Sequence, residues 1–142
     1  MAEQDLIRAA MENIEAFNAG DWGGEKAAMT PDSVYAELAT QRRILGARLV
    51  CALAQDWKRS FPDAQGTINS TVAGGNTAVL EITWEGTQSG ALAGPTGTIP
   101  PSGKRVVIPA VIVFTFQGDK INEAHHYFDM MSLLQQIGAL PG

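Results

Sequence analysis

The sequence predicts one α+β domain in which helices pack on one face of an antiparallel sheet. Helical patterns come first, a run of strand patterns joined by tight turns follows, and a short helical pattern comes last. That order is typical of the α+β class. The length of 142 residues and the hydrophobic fraction of 45% suit a single globular domain with its own core.

Two long helices are predicted in the N-terminal part of the chain. Apolar residues repeat at helical spacing over residues 5–18 and again over residues 46–60. Gly20 ends the first helix and Pro62 closes the second, because glycine favours a helix C-terminus and proline disfavours helical backbone before it.

The segment between these helices is predicted to contain three short pieces. Residues 21–24 form a turn, and residues 25–29 form a short helical piece. Pro31 stops that piece, and a short strand follows at residues 33–39. This segment therefore carries the chain from the first helix into a first short strand.

A first hairpin is predicted where the pattern changes from helical to alternating. Residues 66–72 and 77–87 form its strands, and the glycine-rich residues 73–76 form its turn. Residues 88–102 are rich in proline and glycine, which predicts a long loop after the second strand.

A second hairpin and the last helix complete the domain. Residues 105–116 form a long apolar strand, residues 117–120 form a turn, and residues 121–128 return antiparallel. Asp129 precedes an apolar helical run that Gly138 closes. An aspartate at this place is a natural N-cap, because its carboxylate accepts bonds from free backbone N–H groups.

Charge and composition argue against several classes of partner. The net charge of −5 and the isoelectric point of about 4.9 would repel a phosphate backbone, so no nucleic acid partner is expected. The longest apolar run, residues 106–114, is too short to span a bilayer, so no membrane partner is expected. The charged fraction of only 18% indicates a surface partly covered by a second subunit.

The single cysteine points to a reducing compartment. Cys51 lies in an apolar stretch, which predicts a small buried side chain rather than a reactive thiol, and a lone cysteine excludes an intramolecular disulfide. The first five residues are acidic where a signal peptide would be basic. The cytoplasm is therefore the expected location.

Several motifs together resemble the SnoaL-like polyketide cyclases of the NTF2-like superfamily. They are Ser60-Phe61-Pro62-Asp63, Trp84-Glu85-Gly86-Thr87-Gln88-Ser89-Gly90, Pro100-Pro101-Ser102-Gly103-Lys104, and Tyr127-Phe128-Asp129 with residues 133–138. The resemblance covers nearly the whole chain. It implies a cone, in which a curved sheet wraps around the N-terminal helices and encloses a pocket for a small apolar organic ligand. It also implies a homodimer or higher homo-oligomer and chemistry without a cofactor.

The resemblance also indicates where the chemistry would lie. The related cyclases close a ring by an intramolecular aldol step, with an aspartate acid/base on the strand before the last helix. That position is His126 in this sequence, and the histidine that precedes the aspartate in the cyclases falls at Ala124. Val111 and Val113 stand where the neighbouring strand should supply polar partners.

Three side chains are candidates for acid/base catalysis. His125 and His126 are adjacent on a strand, so they point to opposite faces, and only one of them enters the pocket in regular geometry. We expect His126 to be the base, and its alternative role is that of a structural histidine. A bulge in the strand would instead turn His125 towards the pocket. Asp129 is the third candidate, with helix capping as its alternative role.

The remaining site residues are expected to bind the ligand. The candidates are the aromatic side chains Phe17, Tyr35, Trp57, Trp84 and Phe128, the polar Gln88, and Val111 and Val113. Two adjacent histidines lack a third ligand spaced to join them, so no metal is expected. Three functions stay open: a cyclase- or isomerase-type enzyme acting on a carbonyl compound, a non-catalytic binding protein, and a structural module.

Overall fold

The computed structural model describes residues 2–94 and 96–140. Pro95, which the sequence places in the long loop, lies outside the described residues. In chain order the elements are α1 (Glu3–Ala19), α2 (Trp22–Ala27), β1 (Met29–Glu37), β2 (Arg42–Leu45), α3 (Ala47–Ser60), β3 (Gln65–Gly74), β4 (Thr77–Thr87), β5 (Leu92–Gly94), β6 (Gly97–Ile99), β7 (Arg105–Gln117), β8 (Lys120–Phe128) and α4 (Met130–Gln136).

The main sheet is curved and unclosed, and the helices pack on its inner face. Its strand order is β2-β1-β8-β7-β4-β3, and all neighbours are antiparallel except the parallel pair β1 and β8. Helix α1 packs on β3 and β4, α3 packs on β1, and α4 packs on β7. The predicted α+β cone is confirmed, because a curved sheet wraps around N-terminal helices and a short helix follows it.

The core forms where the apolar stripe of α1 meets the inward side chains of the central strands. Leu6 and Ile14 of α1 are almost fully buried, as are Leu80 and Ile82 of β4 and Phe114 of β7. Side chains of a strand alternate between faces, so these strands turn their other residues outward. The chain thus separates an inner apolar face from an outer, more polar face.

Most predicted elements are confirmed, and the differences have local causes. Helix α2 begins at Trp22 rather than residue 25, because the Asp21 carboxylate accepts a 3.0 Å bond from the backbone N–H of Gly24. Pro31 lies inside β1, at a register shift in the pairing with β8 where its missing N–H is tolerated. Strand β2 and the small hairpin of β5 and β6 were not predicted.

A bulge in the β7–β8 hairpin sets the register around the candidate site. Phe116 pairs with Ile121 and Thr115 pairs with Glu123, so Asn122 is an extra residue on β8. Beyond the bulge, Ile112 pairs with His126 and Val111 pairs with Tyr127. Within residues 2–94 and 96–140, no helix has the length and hydropathy of a membrane-crossing segment.

Candidate active site

A cavity of about 160 Å³ lies between the helices and the inner face of the sheet. Apolar and aromatic side chains form most of its wall, and no lysine or arginine among the described residues lines it. Its polar lining residues include Asn13, Glu25, Ser33, Tyr35 and His126. A largely apolar cavity with a few converging polar groups is the usual form of a small-molecule site.

The aromatic side chains expected from the sequence do line this cavity. They are Phe17, Tyr35, Trp57, Trp84 and Phe128. Phe17 meets Trp84 edge to face at 5.2 Å between ring centroids, and Phe128 meets His126 at 5.0 Å. Edge-to-face packing is a preferred arrangement of aromatic rings, so these contacts favour the orientations that the rings adopt in the cavity wall.

The two histidines point in opposite directions, as strand geometry requires. His126 is 8% exposed and lines the cavity. His125 lies on the outer face of the sheet, where its Nε2 is 3.0 Å from Glu123 at the surface. The structure therefore places only His126 where it can meet a ligand in the cavity.

His126 belongs to a buried hydrogen-bonded chain with Tyr35 and Glu37. The hydroxyl of Tyr35 lies 2.7 Å from Nδ1 of His126 and donates to Oε2 of Glu37 at 2.7 Å. On the other side of the ring, the indole N–H of Trp84 donates to Nε2 at 3.1 Å. Both nitrogens of the imidazole are therefore bonded within the protein.

These partners determine the tautomer of His126. An indole N–H can only donate, so Nε2 accepts and carries no proton. The single proton of the Tyr35 hydroxyl goes to the Glu37 carboxylate, so Nδ1 must supply the proton of its bond to Tyr35. The ring is neutral in this arrangement. Burial agrees with that state, because it lowers the pKa of His126 to about 4, although the charge of Glu37 opposes the shift.

Glu37 is the charged end of this chain. It is fully buried, and burial alone would raise its pKa, yet hydrogen bonds and the charge of Arg42 hold the pKa below its usual value. Oε1 accepts from Thr40 at 2.6 Å and from Arg42 at 2.6 Å, and Oε2 also accepts from the Trp57 indole at 2.9 Å. The carboxylate thus fixes Tyr35 and Trp57, two walls of the cavity.

A second buried carboxyl group reaches the cavity from helix α2. Glu25 is 5% exposed, and its Oε2 has no hydrogen-bond partner among the described residues. Burial raises its pKa to about 7, so the acid and the carboxylate are both populated near neutral pH. Glu37 differs from Glu25 in this respect, because its carboxylate accepts several hydrogen bonds and forms an ion pair.

Val111 and Val113 do not line the cavity, and this is a correction to the sequence analysis. They lie on the outer face, paired with Tyr127 and His125. Counting back from the hairpin turn without a bulge sets Val111 opposite His126. The extra residue on β8 moves the pairing by one position, so Ile112 is the residue beside His126 that faces inward.

Gln88 and Asp129 are also placed outside the cavity. Gln88 is fully buried, but its side chain donates to the carbonyls of Gly90 and Pro100 and accepts from the N–H of Ser102. It therefore holds the long loop together rather than offering a polar anchor. Asp129 caps α4 by accepting from the backbone of Met131 at 3.0 Å, which matches its alternative role.

Sequence reasoning missed both buried carboxylates. Glu37 lies two residues after Tyr35 on a strand, so the alternation of β1 places both on one face. Glu25 could have been found from the Asp21 cap, which sets where α2 begins and so which side chains face inward. Among the described residues, no group of three His, Cys, Asp or Glu could hold a metal ion.

Comparison with known proteins gives related folds and a family. No curated protein sequence matches this chain. Among solved structures, a proposed SnoaL-like polyketide cyclase from Jannaschia sp. CCS1 has a TM-score of 0.87 at 20% identity, covering 98% of this chain and 95% of that one. AclR, a proposed hydroxylase from Streptomyces galilaeus, has a TM-score of 0.84 at 26% identity, covering 99% and 89%.

An epoxide hydrolase of the LEH-like type from M. tuberculosis has the same fold, with a TM-score of 0.73 at 23% identity over 96% of this chain and 95% of that one. The names of these relatives cover different reactions, so the shared fold does not select one. The family model for SnoaL-like polyketide cyclases matches residues 7–137, nearly the whole chain. This protein therefore belongs to the SnoaL-like polyketide cyclase family.

Proposed function

We propose that this protein binds a small, mainly apolar carbonyl compound and moves a proton on it without a cofactor, as cyclases and isomerases do. The observation that carries the proposal is an apolar cavity with two buried titratable groups of shifted pKa. These are Glu25, with a pKa raised to about 7, and His126, with a pKa lowered to about 4. Titratable groups perturbed by burial in a cavity are typical of acid/base sites.

The size of the cavity limits the ligand. A cavity of about 150 Å³ lined by apolar side chains accepts benzene, and the cavity here measures about 160 Å³. It therefore suits one ring, and a polycyclic substrate of the kind that the family name suggests would extend beyond it. The lack of lysine and arginine in the described lining favours a neutral ligand over a carboxylic acid or a phosphate.

Proton transfer next to a carbonyl suits the groups that line this cavity. A base removes a proton from the carbon beside the carbonyl, and polar groups stabilise the enolate oxygen. Burial and the neighbouring Glu37 raise the pKa of Tyr35 well above its ordinary value, so its hydroxyl stays protonated and keeps its bond to Glu37. A donor to the enolate oxygen must therefore come from another lining residue. Asn13 adds a neutral amide to the lining. Isomerisation and aldol cyclisation both begin with this proton removal.

Binding without turnover is the second candidate function, and one observation favours it. Both ring nitrogens of His126 are bonded to Trp84 and Tyr35, so this polar chain is complete without a ligand. A completed chain of this kind rigidifies a pocket wall as well as it serves catalysis. In that case the aromatic rings would hold an apolar ligand and no bond would change.

One experiment separates the two candidates. β,γ-Unsaturated cyclohexenone is a neutral single-ring ketone, and moving one proton converts it to the conjugated isomer, which NMR distinguishes by its vinyl protons. Binding is followed by the fluorescence of Trp57 and Trp84, which line the cavity. Binding with conversion faster than in buffer supports the enzyme. Binding with no conversion supports the binding protein and contradicts the enzyme for this substrate class.

We also propose that the protein is a cytoplasmic homodimer or higher homo-oligomer. Support comes from large apolar side chains exposed on the sheet, where Val72 is 62%, Val107 48% and Tyr127 45% exposed. Sedimentation equilibrium measures the assembly directly. A Val107→Lys variant should shift the mass towards the monomer, and a monomeric wild type would contradict the proposal.

A further inference from the structure

Helix α2 places a buried carboxyl group, that of Glu25, at the wall of the cavity. Glu25 is 5% exposed, and its Oε2 contacts no donor among the described residues. Leaving a buried polar atom without a hydrogen bond destabilises the folded protein. Native proteins carry few such atoms, and each calls for an explanation. Because Glu25 lines the cavity, a ligand polar group is the partner that this position lacks.

His126 is in the opposite situation. The lone pair of Nε2, which would take a substrate proton, already accepts the indole N–H of Trp84 at 3.1 Å. Its Nδ1 is committed to Tyr35 at 2.7 Å. For His126 to act as a base, the Trp84 bond would have to break and the indole N–H would lose its partner. The Oε2 atom of Glu25 can take a proton without breaking a hydrogen bond and without leaving a donor unpaired.

We infer that Glu25 is the group that takes up and returns the substrate proton, and that His126 is a positioning residue that holds Trp84 and Tyr35 in the cavity wall. The inference rests on the proposed function, because it assigns roles within the same cavity. It also assigns a role to the one described buried side-chain polar atom that has no hydrogen bond.

The step balances without any further reactant. The Glu25 carboxylate takes the proton from the carbon beside the carbonyl, the C–H electrons move into the enolate, and an O–H bond forms on Glu25. In an isomerisation, Glu25 returns that proton to a different carbon of the same molecule. In an aldol closure, the enolate carbon bonds to a second carbonyl carbon, and Glu25 returns the proton to the resulting alkoxide.

The position of Glu25 suits a group that must act in both directions. A base that later serves as an acid works best when its pKa lies near the working pH. Burial, rather than a neighbouring charge, raises the pKa of Glu25 to about 7. The hydrogen-bonded Glu37, whose pKa is lowered, has no such capacity.

The test is exchange of the methylene protons of phenylacetone in deuterated water, followed by NMR. Phenylacetone is neutral, has one aromatic ring and carries acidic protons beside its carbonyl. The variants are Glu25→Gln, which keeps the shape and removes the base, and His126→Asn. Glu15→Gln is the matched control. Glu15 is an exposed residue of α1 outside the cavity, so this substitution removes the same charge without changing the cavity. Tryptophan fluorescence measures whether each variant still folds and binds the ketone.

The expected result is a loss of about 100-fold or more in Glu25→Gln with binding retained, because general base catalysis contributes at least that factor. His126→Asn should lose less, and its exchange rate should keep an inflection near pH 7, which belongs to Glu25. Glu15→Gln should match the wild type. Nitrogen NMR should find His126 with a proton on Nδ1 and none on Nε2.

Two results would overturn the inference, and they differ from failure of the proposed function. If exchange survives in Glu25→Gln and the inflection disappears in His126→Asn, then His126 is the base and the proposed function stands. If carbon NMR detects no change in the Glu25 carboxyl when phenylacetone binds, the carboxyl does not meet the ligand. A wild type that binds phenylacetone and exchanges none of its protons would instead contradict the proposed function itself.

Discussion

The hydroxyl of Tyr35 lies 2.7 Å from Nδ1 of His126, although 91 residues separate the two in sequence. The parallel pairing of β1 with β8 produces this contact, because it sets Glu37 beside His126 and Tyr35 beside Ala124. Residues paired across a sheet share a face, so Tyr35, Glu37 and His126 all point inward. The bonds that join Tyr35, Glu37 and His126 therefore follow from one strand register, and Trp84 reaches the other ring nitrogen from β4.

Replacing Tyr35 by phenylalanine should destabilise the protein through its polar partners. Phe keeps the ring in the wall but leaves the Nδ1–H of His126 without an acceptor and Glu37 without one donor. We expect a loss of about 1–3 kcal/mol in the free energy of unfolding, measured by urea denaturation. Tyr127→Phe is the control, because Tyr127 is exposed. Equal losses in both variants would contradict the role given to the bond.

Replacing Trp84 by phenylalanine should raise the pKa of His126. The Trp84 indole donates to Nε2, and a bond donated to the neutral ring opposes its protonation. Without that donor, Nε2 is free to take a proton. NMR titration of the imidazole measures the shift, and Trp57→Phe is the control, because the Trp57 indole donates to Glu37 instead. An unchanged titration in Trp84→Phe would contradict the assigned tautomer.

Glu25 and His126 should make opposite contributions to the pH dependence of stability. The pKa of His126 falls from 6.5 to about 4 on folding, so between these values the unfolded chain binds a proton that the folded chain does not. Acidification from pH 7 to pH 5 then lowers the free energy of unfolding by about 2 kcal/mol. The pKa of Glu25 rises from 4.5 to about 7 on folding, so the folded chain binds the extra proton and the same acidification raises that free energy by about 2 kcal/mol.

The two contributions nearly cancel in the wild type between pH 7 and pH 5. Each single variant removes one of the two contributions, so the change in the free energy of unfolding between pH 7 and pH 5 should have opposite signs in the two variants. Urea denaturation at both pH values measures this change. Glu25→Gln should lose stability on acidification, because only the His126 contribution remains. His126→Asn should gain stability on acidification, because only the Glu25 contribution remains. Parallel profiles for the two variants would show that one of these side chains is not buried as described.

The β7–β8 register can be tested with two neighbouring residues. Ile112 faces the cavity beside His126, whereas Val111 is on the outer face. Ile112→Ala should cost about 2–5 kcal/mol in the free energy of unfolding, because it enlarges a cavity in the core. Val111→Ala should cost less than about 1 kcal/mol, because it shortens a half-buried side chain on the outer face, away from the core. The reverse order would mean that the strand is shifted by one residue.

Local features of the sequence predicted the elements well. The apolar repeat of residues 5–18 predicted α1, the alternation of residues 77–87 matched β4, and Asp129 was expected at the N-cap where it lies. Each depends on side chains close together in sequence. Strand β2, the β5–β6 hairpin and the start of α2 were missed, because short elements carry little periodic signal.

The candidate site was predicted only in part, for a different reason. Residue type predicted the aromatic lining, and strand alternation predicted only that His125 and His126 point to opposite faces. The structure decided that His126 is the one that points inward. Val111 was placed beside His126 because no local pattern revealed the bulge that moves the pairing by one residue. Glu25 and Glu37 were missed because the Asp21 cap and the alternation of β1 indicate only which residues share a face, whereas the packing of distant segments decides that this face is buried.

By itself, the sequence determined the α+β class, the order of helices and hairpins and an apolar inner face, because periodicity and capping act over a few residues. Tertiary structure alone decided which polar groups meet. The parallel β1–β8 pair joined Tyr35 and Glu37 to His126, and the packing of α2 buried Glu25 against the cavity. Those contacts depend on strand register and helix packing across distant segments, and a shift of one residue would have turned the same side chains away from one another.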